Sequence, residues 1–250
     1  MSESNCMSLS GANLHPCLAE SVAGQKWYKP VLCINRKGAE SKRVYKTYRF
    51  ERGPLGQYFR FLAAHEFRML QQVQGLDFTP QKVERETGSV NTISYEYVDG
   101  ASLKQRFRDG DIPERFFFRL YQAVSELHER GVAHLDVGNS GNVLVSPEGA
   151  PILIDFGSAM PLKRLPVITR AWARKKDLLG VLKLWRRFDS DSMPDYLRDY
   201  YNHHYRKNIC TPKRFFKAFR RYWRTEGEEM SAIGTVTGLF LGMLFLVSVM

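Results

Sequence analysis

The chain has 250 residues, 44% hydrophobic and 25% charged, enough to bury a full core and too balanced for a collagen-like, low-complexity or disulfide-scaffold protein. Its four cysteines (Cys6, Cys17, Cys33, Cys210) stand far apart without a C-x-x-C pair, so neither a zinc template nor a disulfide framework is present and a reducing compartment is the default. Lysine and arginine number 37 against 26 aspartate and glutamate, and the net charge of +11 favours an anionic partner such as a nucleotide, nucleic acid or lipid surface.

Residues 1–25 are polar and rich in Ser, Gly and Asn, lack the apolar stretch of a secretory signal, and read as a flexible leader. Alternation then predicts strands at Val31 to Asn35 and Arg43 to Phe50 around a turn at Lys37-Gly38. A helix is predicted over Gly56 to Val73, where Phe59, Leu62, Ala63, Glu66, Phe67 and Leu70 recur at spacings of three and four. Val90 to Val98 predicts another pair of short strand pieces ending at Asp99-Gly100, and Pro113 opens a helix through Arg130 with a Phe117, Leu120, Tyr121, Val124, Leu127 stripe. Strands come first and helices later, which predicts an α+β class with two lobes. No long Pro/Gly/Ser linker interrupts residues 26–212, which are taken as one domain.

The end of the chain differs in character. In residues 213–229, Lys213, Arg214, Lys217, Arg220, Arg221 and Arg224 interleave with Phe215, Phe216, Phe219, Tyr222 and Trp223, a juxtamembrane pattern suited to anionic headgroups. Residues 230–250 then run 21 positions without a charge. At about 1.5 Å per helical residue this just crosses a hydrocarbon layer of about 30 Å, so a C-terminal transmembrane helix is predicted, with a buried core helix as the plainer alternative. Gly234, Gly238 and Gly242 would line one face of it and allow a homodimer. Adjacency to the apolar run favours lipid over nucleic acid as the partner of the basic stretch. The His203-His204 pair is explained as well by a solvated loop as by a metal site.

Chemistry concentrates in His134-Leu135-Asp136-Val137-Gly138-Asn139-Ser140-Gly141-Asn142-Val143-Leu144-Val145 and, after a short turn, Ile152-Leu153-Ile154-Asp155-Phe156-Gly157. Two aspartates and an asparagine are brought to the ends of short apolar strands. Phosphoryl transfer from ATP needs such a set: one carboxylate to orient the attacking hydroxyl and accept its proton, and an asparagine with a second carboxylate to hold Mg²⁺. Each piece alone has a plainer reading, Asp155-Phe156-Gly157 as a strand-ending turn, His134 as a core histidine and Asn142 as a turn cap.

In order and at this spacing, the segments resemble the protein-kinase-like superfamily, with His134-x-Asp136 similar to its H-x-D motif and Asp155-Phe156-Gly157 to its D-F-G motif. Val44-Tyr45-Lys46 resembles the strand whose lysine contacts the α- and β-phosphates, and Glu66, 20 residues later, is placed to pair with it. Tyr95 to Leu103 looks like the hinge that receives adenine, with Glu96, Tyr97 and Val98 as its binding positions. Three departures narrow the family. Five residues, not four, separate Asp136 from Asn142; only Gly38 stands where a glycine-rich loop is expected; and no A-P-E follows D-F-G. The sequence Arg174-Lys175-Lys176-Asp177-Leu178-Leu179 places Asp177 22 residues after Asp155, like the brace of the catalytic loop in compact kinases. These features are similar to the atypical bacterial kinases that act on lipopolysaccharide (Kdo and heptose kinases) and to RIO-type kinases, over Val31 to Arg187.

The resemblance implies a two-lobed protein-kinase-like fold and transfer of the ATP γ-phosphoryl to a hydroxyl. Asp136 would align the acceptor, Lys46 oriented by Glu66 would fix the donor, Asn142 and Asp155 would hold Mg²⁺, and His134 would support the loop. The acceptor expected is an anionic lipid or lipopolysaccharide-type sugar at the cytoplasmic face of a bacterial inner membrane. The alternatives are a RIO-like serine/threonine protein kinase with a protein acceptor, a small-molecule phosphotransferase, and a nucleotide-binding module with little or no catalysis.

Overall fold

The computed structural model describes residues 30–35, 42–48, 53–86, 89–163 and 165–205. Of these, the residues up to Phe188 belong to one compact unit, and 189–205 belong to a second. The first unit opens with an antiparallel sheet in the order β1 (Val31–Asn35), β2 (Arg43–Thr47), β4 (Thr92–Glu96), β3 (Glu84–Arg85). In its register Lys46 lies opposite Leu32 on one side and Ile93 on the other. Strand alternation therefore sends Lys46 and Tyr48 to one face, where both are buried.

Helix α1 (Gly53–Gln72) buries Phe59, Ala63, Glu66, Met69 and Leu70 at the three- and four-residue spacings of one face. Glu66 is thus a charged member of an otherwise apolar stripe, and Tyr48 forms a small core with Phe59 and Ala63. Past the helix the chain is held in successive turns, with the Leu76 amide on the Val73 carbonyl, the Thr79 amide on the Leu76 carbonyl, and the Thr79 hydroxyl within reach of both carbonyls.

The rest of the unit is helical with short hairpins. Strand β5 (Ala101–Ser102) leads into α2 (Leu103–Arg108), whose N-cap is the Ser102 hydroxyl. Helix α3 (Phe116–Arg130) ends at Gly131, whose φ of 89° is the left-handed conformation that closes helices. Strand β7 (Val143–Val145) pairs with both β5 and β8 (Pro151–Leu153), and β6 (Val132–Ala133) pairs with β9 (Met160–Pro161). Gly100 passes so close to β7 that a Cβ there would lie 2.9 Å from the Val145 carbonyl oxygen. Helix α4 (Val167–Phe188) packs on α3, with Trp185 stacked on Phe117 at 5.9 Å between ring centroids. In the second unit, α5 (Asp195–His204) buries Tyr201, and Arg198 holds the preceding turn through the Ser190 and Met193 carbonyls.

The α+β order of elements is as expected, but several boundaries differ. Within Val90 to Val98 there is one strand, β4 (Thr92–Glu96), rather than two pieces; its neighbour β3 is two exposed charged residues whose pattern carries no periodicity. Pro113 lies in the turn before α3, because Arg115 adopts a left-handed φ of 60° and only Phe116 starts the helix. Helix α1 begins three residues before the expected Gly56 and ends one before Val73. His203 and His204 end α5 instead of lying in a loop, with ring centroids 4.8 Å apart. Among the described residues no cluster of His, Cys, Asp and Glu is arranged to hold a metal ion, and no helix is long and apolar enough to cross a membrane. The leader 1–25, Gly38, the basic stretch 213–229 and the apolar run 230–250 with Gly234, Gly238 and Gly242 lie outside the described residues.

Candidate active site

Lys46 is the centre of a buried charge cluster. Its ammonium donates to Glu66 Oε1 and to Asp155 Oδ1, each at 2.8 Å, so strand β2, helix α1 and the turn after β8 meet at one atom. Tyr48 completes the set by donating from its hydroxyl to Glu66 Oε2 at 2.9 Å. Both carboxylate oxygens of Glu66 are therefore satisfied, which a buried charge requires. Burial pushes the Lys46 ammonium toward deprotonation, but Glu66 and then Asp155 outweigh it and hold its pKa well above the ordinary lysine value. Burial, joined by the negative charge of Glu66, likewise raises the Tyr48 hydroxyl, and burial pushes Tyr95 up to about 12. All three side chains keep their protons at any ordinary pH.

Asp155 differs because its side chain is 52% exposed. Partial burial would push its carboxyl up, yet the Lys46 charge and hydrogen bond prevail and hold it below the usual carboxylate range. Its backbone is left-handed at φ 66°, an uncommon conformation for a residue with a side chain. Lys46 occupies only Oδ1.

The loop between β6 and β7 is shaped by one carboxylate. Asp177, buried on α4, accepts the His134 and Leu135 amides at 2.7 Å each and His128 Nε2 at 3.0 Å. This grip turns Leu135 to φ 63° and launches Asp136. The His134 ring lies 4.7 Å from Phe156; its Nδ1 accepts the Asp136 amide at 3.3 Å, so the proton sits on Nε2 and is donated to the Ile154 carbonyl at 3.1 Å. His134 thus ties the loop to the strand end that carries Asp155, a supporting contact.

Asn142 Nδ2 donates to Asp136 Oδ2 at 2.8 Å and to the Asp136 carbonyl at 3.3 Å. Asn142 stands just before β7 and Asp155 just after β8, and Ile154 donates its amide to the Asn142 carbonyl at 2.9 Å, so the hairpin carries both to the same end. Asp136, Asn142 and Asp155 are in this way gathered at one hairpin end, and Asp155 is in turn bound by Lys46. The extra residue of the loop leaves room for Asn139, whose Nδ2 reaches Asn142 Oδ1 at 3.2 Å and Asp136 Oδ2 at 3.4 Å.

The hinge positions are used unequally. The Glu96 amide donates to the Gln81 carbonyl at 2.9 Å and the Tyr97 amide to the Lys42 carbonyl at 2.7 Å, while the Glu96 side chain pairs outward with Lys82. Two of the three expected positions therefore have their amides engaged within the protein.

Sequence reading missed four residues that shape the site. Tyr48 is two positions from Lys46, and period-two alternation alone would have placed it on the same face. Asn139 was visible only as the extra loop residue. Gly180, a mid-helix glycine, was a signal: a Cβ there would lie 2.8 Å from the Gly138 amide nitrogen. Lys183, one turn on, donates to the Gly138 carbonyl at 2.7 Å, which no pattern announced.

No protein-family model and no curated protein matches the chain. Among solved structures it is similar to the Rio2 kinase from Chaetomium thermophilum in its ADP/Mg²⁺-phosphoaspartate complex, at 18% identity and a TM-score of 0.49, over 70% of this chain and 58% of that one. A second structure of that kinase matches with 18% identity and a TM-score of 0.49, over 72% and 61% of the two chains. The chain spans about three-fifths of the length of these proteins.

Proposed function

We propose that the protein is an ATP- and Mg²⁺-dependent phosphotransferase of the protein-kinase-like kind, moving the γ-phosphoryl to a hydroxyl. The observation that carries this reading is the convergence on Asp155: Lys46, clamped by Glu66, touches it at 2.8 Å, and the Asp136–Asn142 pair stands at the same hairpin end. Lys46 would bind phosphate oxygens as a permanent cation, and Val98 would orient the base. Asp136, half-buried and held by Asn142, would take up the acceptor hydroxyl and accept its proton as the bond to the phosphorus forms.

The donor set fits Mg²⁺. Asn142 Oδ1 and the half-exposed, ionised Asp155 carboxylate are hard oxygen ligands, and two protein oxygens completed by phosphate and water is the coordination this ion favours. When bound, Mg²⁺ would supply neutralisation of the phosphate charge.

For the acceptor we infer an anionic lipid or lipopolysaccharide-type sugar, with the catalytic residues 26–212 on the cytoplasmic side of a bacterial inner membrane and residues 230–250 spanning it. Support comes from the basic, uncharged-ended sequence and from the short connection between Asp155 and α4, which leaves little platform for a peptide. Detergent-solubilised full chain with labelled ATP and either lipid extract or protein extract tests this. Label in lipid is the expected outcome; label only in protein would replace the acceptor by a RIO-like one, and no label with Asp155→Asn identical to wild type would remove the phosphotransferase reading.

A second reading, a nucleotide-binding module without turnover, is favoured by one contact. Asn139 sits on the acceptor oxygens of Asp136 and Asn142 that hydroxyl and metal would need. ATP-induced thermal stabilisation without ADP release in wild type, with ADP release appearing in Asn139→Ala, would support the module and its cause.

A further inference from the structure

Helix α4 begins with a face that the fold leaves in water. Its inward side in the first turns is marked by Ala173 and Asp177, both buried. At about 100° per residue the opposite side carries Val167, Ile168, Ala171, Trp172, Arg174 and Lys175, all exposed. Ile168 is 86% exposed, Val167 73% and Trp172 45%. Three large apolar side chains on adjacent turns of one helix face form a contiguous patch, and such patches mark contact surfaces.

The charge along this stretch of the chain is one-sided. From Phe156 to Lys176 the chain has six lysines and arginines and no aspartate or glutamate. Lys163 is exposed beside the start of the helix, and the Lys176 ammonium lies 5.2 Å over the Trp172 ring. Arg174 spends a hydrogen bond on the His128 carbonyl, which holds the helix against the end of α3, while Arg170 folds back on the Leu165 carbonyl in the turn before it.

We propose that this face of α4 is a docking surface for an anionic lipid bilayer. Val167, Ile168 and Trp172 enter the headgroup layer, and Lys163, Lys175 and Lys176 meet the lipid phosphates. Apolar centre, tryptophan at the border and cations around it are the composition of an interfacial helix. A second copy of the chain docked face to face would bring two sets of cations together. An acidic protein would satisfy the cations but would place Ile168 and Val167 against polar groups. The proposal rests on this face and not on phosphoryl transfer, so the two stand or fall separately.

The test uses the full chain with vesicles of phosphatidylglycerol or phosphatidylcholine whose acyl chains are brominated, reading tryptophan quenching in wild type and in Trp172→Phe. Any contact made near Trp223 is common to both proteins and cancels in the difference. The expected result is a quenching difference with phosphatidylglycerol that is absent with phosphatidylcholine, shrinks several-fold in high salt, and is lost in Ile168→Glu, a position too exposed to disturb folding. Equal quenching in wild type and Trp172→Phe would overturn the proposal, as would an equal difference in both lipids. Stronger shielding of Trp172 from acrylamide by polyglutamate than by phosphatidylglycerol vesicles would replace the lipid with an acidic protein. Self-association abolished by Ile168→Glu would replace it with a second copy.

Discussion

The two halves of the candidate site are held by opposite means. Around Lys46 the side chains hold one another: an ammonium, two carboxylates and a phenol, nearly all buried, satisfy each other across strand β2, helix α1 and the turn after β8. Around Asp136 it is the backbone that is held, by the Asp177 carboxylate below and the close approach of Gly138 to Gly180 beside it, while the reactive side chains stay half-open. On the proposed phosphotransferase reading, a cation that would bind a triphosphate profits from rigidity, whereas a carboxylate that would receive a hydroxyl needs access and takes its stiffness from behind.

If that contrast is right, the largest single loss comes from Asp177→Ala. It strands two buried amides and His128, and with each unpaired buried group costing about 1–3 kcal/mol the expected destabilisation is upward of about 4 kcal/mol. Urea unfolding monitored by the buried Trp185 would measure it, and a change under about 1 kcal/mol would show that the loop holds itself.

Next in size is Lys46→Met, which leaves Glu66 buried beside Asp155 without a cation. Breaking such a pair costs about 3–5 kcal/mol, whereas replacing both partners by apolar groups is far milder. Lys46→Met/Glu66→Leu should therefore be more stable than Lys46→Met alone, although equally inactive. If the double variant is the less stable, side-chain charge is not what holds this half.

What the sequence made legible follows the same divide. The meeting of Lys46 with Glu66 and the nearness of Asp136 to Asn142 were legible, because order along the chain constrains what can meet. The devices that hold them were harder. Tyr48 acts through a hydroxyl on a carboxylate 18 residues away, and Gly138 meets Gly180 across 42 residues, so strand alternation and a mid-helix glycine mark the positions but not their partners. Strands of two residues, such as β3, β5 and β6, are too short for periodicity; β3 and β5 exist because longer neighbours offer backbone partners, and β6 pairs with the equally short β9. The Glu96 and Tyr97 amides looked available only because the chain segments that consume them, at Gln81 and Lys42, have no pattern of their own.

Gly180→Ala probes the backbone-held half more gently. Its methyl would press on the Gly138 amide at 2.8 Å, so about 2 kcal/mol of stability should be lost to overpacking, and phosphoryl transfer should fall further than nucleotide binding because the loop carrying Asp136 is what moves. Equal losses in binding and turnover would contradict the division. Tyr48→Phe probes the other half. Removing a hydroxyl from a buried carboxylate should cost about 1.5 kcal/mol, and it should weaken ATP binding through a looser Glu66 while Lys46 stays paired. Isothermal titration with ATP and Mg²⁺ gives the readout, and unchanged affinity would make Tyr48 merely a core residue.

The smallest effect expected is on pH dependence, and it belongs to the one residue that both halves share. Asp155 has its folded pKa below the ordinary value of 3.8, so its contribution to stability is fully present above that value and disappears as pH falls through the lower, folded one. Because the side chain is 52% exposed, solvent screening keeps the contribution under about 1 kcal/mol. Lys46 behaves in the opposite sense. Its raised pKa gives a contribution present below 10.5 and lost only as pH climbs through the folded value, beyond any assay. Acid titration of thermal stability should therefore show a small extra loss in wild type below pH 3.8 that Asp155→Asn lacks, and no alkaline limb from this cluster. A wild-type curve that parallels Asp155→Asn throughout would mean that Lys46 belongs to Glu66 alone, and the link between the rigid half and the open half would be gone.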